Sequence, residues 1–400
     1  MYFYRRFPQG ELRKPKKIPF WTVYIIAVIF NFHTLLVSYT TPTYLEKYIT
    51  ASQIGLLYAV GSFGSLLFFL ILPIILKRLG NLLAAITLMA ISIITLTLAG
   101  TAFTPALVIV GLLIFLMINP LLYLNIDIFS ETLIGKNEGA TGRVRGLTLS
   151  LMSIAALLAP ITISLTIGDG DNLSQLYFIG IGIGATFILV LLALFRPFVD
   201  PVYHKIHLRP LIKQCLQTKA IRLVLTTHFI LQIFFTWTVL YIPLYFASEL
   251  NLPWSSIGAI IAAGLVAYTL FEYPVGILAD NYWGEKEMMA FGFLIIALTV
   301  SSLSFITSAS IALLMSIMFI SRIGAAMVEV TTESYFFKKV DGGDANLMSV
   351  FRLMRPLAVL SASLLGSISL AFMPFHLTFL VLAFVMVLGM LVTLSIVDTR

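Results

Sequence analysis

Apolar residues in this chain neither alternate with polar ones nor form narrow stripes. They run almost unbroken for about twenty residues at a time, separated by short polar connections. The runs fall at approximately 20–43, 53–76, 82–101, 105–130, 146–167, 174–195, 221–247, 255–278, 288–308, 310–336, 352–372 and 375–397. Each is long enough to cross the roughly 30 Å hydrocarbon layer of a bilayer as a helix. A backbone in hydrocarbon must satisfy its own hydrogen bonds, and runs this long and evenly apolar do not suit barrel strands. The pattern predicts an all-α polytopic membrane protein with twelve transmembrane helices.

Composition narrows the function classes. The chain is 60% hydrophobic and 11% charged, where soluble domains are about a quarter charged. After twelve spans, 400 residues leave no room for a sizeable soluble domain. A single cysteine, Cys215, excludes an intramolecular disulfide and makes a thiolate metal cluster untenable. No His, Asp, Glu or Cys set has metal-site spacing, and no Gly-x-x-x-x-Gly-Lys-Ser/Thr loop is present to bind ATP. No Ser/His/Asp grouping stands out as a nucleophile arrangement. The expectation is a protein that is not an enzyme and holds neither metal nor cofactor. Residues 1–19 are polar and basic, and the span after them is long enough to stay in the membrane rather than be cleaved.

The net charge of +7 acquires a meaning once the basic residues are placed. With a cytoplasmic N-terminus, the inner segments hold Arg5, Arg6, Arg13, Lys14, Lys16, Lys17, Lys77, Arg78, Lys136, Arg143, Arg145, Arg196, Lys205, Arg209, Lys213, Lys219, Arg222, Lys286, Lys338, Lys339 and Arg400. The outer loops hold only Lys47, beside acids such as Asp169, Asp171 and Glu249. Such asymmetry sets topology, with both termini cytoplasmic, most simply in the plasma membrane. It leaves no reason to invoke nucleic acid.

The longest connection, 196–220, divides the chain into a basic N-terminus at 1–19, a six-helix bundle at 20–195 and a second at 221–397. The connection alternates apolar and basic residues, which suits either a segment on the inner leaflet or a disordered linker. The halves repeat each other in one register. Pro42-Thr-Tyr44-Leu matches Pro243-Leu-Tyr245-Phe, Ser52-Gln-Ile54-Gly55 matches Ser255-Ser-Ile257-Gly258, and Asp127-x-x-x-Glu131 matches Glu329-x-x-x-Glu333. Six spans per copy give both copies one orientation, a parallel repeat about an axis along the membrane normal.

Between the eighth and ninth runs lies Glu272-Tyr-Pro-Val-Gly276-Ile-Leu-Ala-Asp280-Asn-Tyr-Trp-Gly284-Glu-Lys286. This stretch resembles the loop signature of the major facilitator superfamily, although Asn281 stands where a basic residue is usual and Gly284 comes one position late. The first-half copy, Pro73-Ile-Ile-Leu-Lys77-Arg78-Leu-Gly80, keeps the Arg-x-Gly ending and has Lys77 in place of the acid. The resemblance covers nearly the whole chain from about residue 20. It implies two six-helix bundles that work by alternating access, with Gly276, Asp280 and Gly284 forming the signature loop.

Polar side chains within the spans concentrate in four of them. The first run has Asn31 and His33; the fourth has Asn119, Asn125, Asp127 and Glu131. The seventh has His228 and Gln232, and the tenth Arg322, Glu329 and Glu333, with Glu272 in the eighth the main exception. In the resembled family, spans at these positions line a central cavity. Asn31, His33, Asn119, His228, Gln232 and Arg322 are therefore substrate-cavity candidates, and Asp127, Glu272 and Glu329 proton-coupling candidates. Arg322 sits about 12 residues, or ~18 Å, into its span, near the bilayer middle. It is either an anchor for an anionic or hydroxylated substrate group, or one half of a structural ion pair. His33 and His228 are either titrating groups or hydrogen-bonded packing residues. Glu131 with Arg143 and Arg145, and Glu333 with Arg352 and Arg355, are placed either as inner-gate ion pairs or as ordinary helix-end charges.

These features together predict a secondary active transporter, a monomer whose partners are the bilayer, a small solute and protons. Facilitated diffusion, or a non-transporting sensor or scaffold of the same fold, are the alternatives. A membrane enzyme acting on lipids would need catalytic residues at headgroup depth, where only gate charges stand.

Overall fold

The computed structural model describes residues 18–101, 104–134, 138–170, 172–201, 215, 217–306, 310–339 and 345–397. The basic N-terminal segment and most of the 196–220 connection lie outside the described residues. Among the described residues the elements are all helical, as the apolar runs predict. Ten helices are long and apolar enough to cross a membrane, and Leu151–Ile167 adds a shorter apolar stretch. Two predicted runs, 53–76 and 82–101, form two helices within Ala51–Thr101, divided at Gly80, where the backbone is non-helical (φ 76°, ψ 165°). That conformation is open to glycine and strained for any residue with a Cβ. The corresponding junction of the second half repeats it. There Trp254–Leu278 passes through one wide turn, Ala279–Trp283, to Gly284 (φ 87°, ψ 160°), and Glu285–Leu303 begins. Outward-facing apolar side chains such as Leu165, Leu189 and Phe372 are more than half exposed, a surface suited to lipid and not to water.

The chain forms two compact units. The first comprises residues 1–41, 60–159 and 172–206, and the second 42–59, 160–171 and 207–400. The first is centred on aromatic side chains: Phe30 lies 5.9 Å from Phe187, and Phe129 4.7 Å from Phe195. In the second, helices Glu285–Leu303 and Ile311–Lys339 meet backbone to backbone. A Cβ on Gly292 would come within 2.6 Å of the Gly324 carbonyl. Where lipid tails are as apolar as leucine, such close van der Waals packing replaces the hydrophobic effect as the force between helices.

The two short early segments inside the second unit explain one of the sequence repeats. Ser52 Oγ donates to the Ser367 carbonyl at 2.9 Å, and Ser367 Oγ donates back to the Ser52 carbonyl at 2.7 Å. At Gly55 a Cβ would stand 2.4 Å from the Tyr241 hydroxyl, which donates to the Ser363 carbonyl at 3.0 Å. The matching tetrapeptide does the same work elsewhere in this unit. Ser255 accepts at its carbonyl from Ser164 Oγ (2.8 Å), donates its N–H to the Gly168 carbonyl (2.9 Å) and donates its Oγ–H to Asp169 (2.6 Å). Gly258 lies against the Pro160 carbonyl, 2.4 Å from where its Cβ would be. Each Ser-x-Ile-Gly thus supplies a serine that bonds across to another helix, through hydroxyl and carbonyl at Ser52 and through the carbonyl at Ser255, and a glycine one turn later that lets that helix approach.

Candidate functional site

In the first unit the predicted cavity residues bond to the protein. His33 is fully buried in Trp21–Glu46, with Nδ1 2.9 Å from the Gly180 carbonyl and Nε2 3.2 Å from Ser92 Oγ. A carbonyl only accepts, so Nδ1 carries a proton. Asn31 Nδ2 donates to the Met152 carbonyl at 2.7 Å, and its Oδ1 accepts from the Tyr123 hydroxyl at 3.0 Å. Thr34 Oγ1 donates to Asn119 Oδ1 at 3.2 Å. Asn125 Nδ2 donates to Asn81 Oδ1 at 2.6 Å, and Asn81 Nδ2 to the Asn125 carbonyl at 3.0 Å. Asp127 and Glu131 are half-buried.

The second unit differs. Arg322 in Ile311–Lys339 is 3% exposed, and its Nη1 has no hydrogen-bond partner among the described residues. Its guanidinium carbon sits 4.9 Å from the centre of the Phe234 ring in Lys219–Ser248. The missing side chain of Gly264, in Trp254–Leu278, makes room for its stem: a Cβ there would be 3.3 Å from Arg322 Cγ. Three helices therefore place this cation. Glu329, two turns along the same face, is in electrostatic reach of Arg322, Glu333, Glu272 and Arg355. Glu329 is thus surrounded at electrostatic range by Arg322, Glu272, Glu333 and Arg355, charges that come from three helices.

His228 stands apart from Arg322. It is stacked on Phe351 at 3.8 Å, with Nδ1 unpartnered among the described residues and Arg355 in electrostatic reach. On its helix it points about 120° away from Phe234 and lies ~9 Å along the axis. Gln232, one turn further on, is 7% exposed. Trp237 is fully buried 5.0 Å from Tyr241, and its Nε1 also lacks a partner among the described residues. The side chains of Arg143, Arg145, Asp280 and Arg352 lie outside the described residues, and Gly276 is half-buried.

Two charged residues at the signature junctions escaped the sequence reading. Glu285, directly after Gly284, is 1% exposed and pairs with Lys338 at the far end of the neighbouring helix. In the first half, where Lys77 replaces the family's acid, a carboxylate arrives from elsewhere: Asp200 Oδ1 accepts from the Asn81 N–H at 2.7 Å, directly after Gly80. A helix start offers unpaired N–H groups, which a carboxylate satisfies well. A positional signal existed only for Glu285, which directly follows the junction glycine; Asp200 reaches Gly80 from a distant part of the chain and carried none.

Fold and composition define a class: the chain is a multi-pass integral membrane protein with the fold of the major facilitator transporters. Residues 224–400 match the family model described as Major Facilitator Superfamily, which bears out the resemblance read from the signature loop and the repeat. A solved structure of the nucleoside transporter NupG is similar with a TM-score of 0.72, over 94% of this chain and 98% of that one, at 15% identity. A POT family transporter in complex with 5-aminolevulinic acid gives 0.76 over 94% and 95%, at 11% identity. A bacterial homologue of the iron transporter ferroportin, in its inward-facing state, gives 0.73 over 94% and 98%, at 15% identity. At these identities the likeness is one of fold. No curated protein matches the chain in sequence.

Proposed function

We propose that this protein is a secondary active transporter of a small solute, driven by a proton gradient and working by alternating access. The observation that carries the reading is the charge cluster of the second unit. Glu329 lies within electrostatic reach of two further acids and two arginines, inside a helix of membrane-spanning length. Carboxylic acids gain and lose protons, and acids gathered in a bilayer-embedded bundle beside an arginine are suited to linking proton movement to solute binding. Glu329 is the first choice for the proton carrier, with Glu272 second; Asp127 would serve the first unit. The Ser-x-Ile-Gly contacts support a cycle of opening and closing. They consist of a few neutral hydrogen bonds worth about 0.5–1.5 kcal/mol each and one to the Asp169 carboxylate worth about 1.5–3 kcal/mol, together small enough to break and re-form in turnover.

The test is uptake into proteoliposomes of a panel of labelled sugars, amino acids, organic acids and drugs, with and without a pH gradient. Accumulation against a concentration gradient that collapses with the proton gradient, and is lost in Glu329→Gln while solute exchange persists, is the expected result. Equilibration without accumulation would favour facilitated diffusion. Absence of transport would favour a sensor or scaffold of the same fold.

The lopsided basic residues support cytoplasmic termini in the plasma membrane. Cys215 is buried against Ile221, Val224 and Tyr335 and is a poor reporter. A cysteine at exposed Lys219, in a Cys215→Ser background, should react with an impermeant thiol reagent only after permeabilisation. Labelling of intact cells would reverse the topology.

A further inference from the structure

We propose that Arg322 is the recognition group for the substrate, and that the substrate therefore carries a carboxylate or phosphate. This rests on the transporter reading above. The Arg322 helix is 29 residues long, and the residue lies about 16 Å from its start, close to the bilayer middle. Arginine keeps its charge in proteins, so it cannot escape the cost of burial by losing a proton. Phe234 covers one face of the guanidinium at 4.9 Å, which offsets part of that cost. A ring over the face does not engage the in-plane N–H donors, and Nη1 has no acceptor among the described residues.

The acids on this helix do not take that place. Glu329 is seven residues on, ~10 Å along the axis, and Glu333 about 16 Å. Arg322 forms no salt bridge among the described residues. A second donor, Nε1 of Trp237, is fully buried and unpartnered among the described residues, one turn beyond Phe234 on the same helix. The planar fork of a guanidinium matches the two oxygens of a carboxylate or phosphate. A neutral hydroxyl would satisfy a donor and leave the charge uncompensated, while a cation would be repelled. The matching ligand is a small organic anion.

The experiment uses the full-length protein in phosphatidylcholine vesicles containing no anionic lipid. Uptake of labelled matched pairs is measured under a pH gradient of either sign: lactate and lactamide, glutamate and glutamine, glycerol 3-phosphate and glycerol, with inorganic phosphate alone. The expected result is uptake confined to anionic members, reduced at least 100-fold in Arg322→Gln and only partly in Arg322→Lys. Melting curves would show both variants folded. Equal uptake of a neutral partner by the wild-type protein, or anion uptake unchanged in folded Arg322→Gln, overturns the anion assignment and leaves the transporter reading standing. Absence of uptake of every member overturns both. A rise in melting temperature with phosphatidylglycerol and none with the solute anions would assign Arg322 to a lipid headgroup, and also overturns the proposal. The matched pairs test the wild-type protein, so a misfolded variant cannot rescue the idea.

Discussion

His33 and Arg322 are both buried, ionisable side chains in helices of bilayer length, yet their surroundings differ in kind. Both ring nitrogens of His33 meet groups of its own unit, the Gly180 carbonyl and Ser92 Oγ. Arg322 is met by an aromatic face and by space left at a glycine, with a donor unpartnered among the described residues. Their neighbours differ in the same direction, though less cleanly. The amide N–H groups of Asn31, Asn81 and Asn125 donate and Asn119 Oδ1 accepts within the first unit, where Asn125 Oδ1 has no partner among the described residues; in the second, His228 Nδ1 and Trp237 Nε1 have no partner among the described residues. In hydrocarbon an unmet donor costs several kcal/mol. Polar residues of the first kind hold helices to one another, and those of the second kind keep the groups that the proposed anion would meet.

The sharpest way to break this comparison is to remove the two residues separately. Arg322→Ala is expected to lower uptake per folded molecule at least 100-fold, about 2.7 kcal/mol or more at 1.36 kcal/mol per tenfold. His33→Ala should act on stability instead. It removes two buried hydrogen bonds and leaves a cavity, a loss of about 2–4 kcal/mol read by thermal or denaturant unfolding, with uptake per folded molecule near wild type. A His33 variant that folds normally and does not transport would move the working site into the first unit.

Much of this fold was legible from residue order because hydrocarbon leaves a chain so few options. Twelve apolar runs, a basic bias and a two-copy register were enough to reach the architecture. Gly80 is a point where the local reading holds: its non-helical backbone divides Ala51–Thr101 into the two helices that hydropathy resolves as two runs. The candidate site was legible only as a set of polar residues in four spans. Whether each is spent depends on partners far away in sequence, such as the Gly180 carbonyl for His33 or the Met152 carbonyl for Asn31, and a backbone carbonyl carries no sequence signature. Glu285 and Asp200 were passed over for a related reason: each acts at a junction from a position the signature does not specify.

Smaller effects sharpen the contrast. Asn125→Ala should cost the first unit about 1 kcal/mol by removing one side of the pair with Asn81, leaving uptake unchanged. Tyr241→Phe removes one hydrogen bond to a carbonyl and should lower stability by about 0.5 kcal/mol or less. It should also shift the proposed cycle toward the state in which the Gly55 contact is open, read as faster modification of a cysteine introduced at Ser52.

The most direct measurement is the melting temperature of purified Arg322→Gln beside the wild-type protein, in the absence of solute. If Arg322 has no acidic partner in the protein, removing its charge relieves a burial cost that the Phe234 ring offsets only in part, and the variant should melt at or above the wild-type temperature. A marked fall, equivalent to the roughly 3–5 kcal/mol lost when one member of a buried ion pair is removed, would show that Arg322 is already paired within the protein and is not held for an anion.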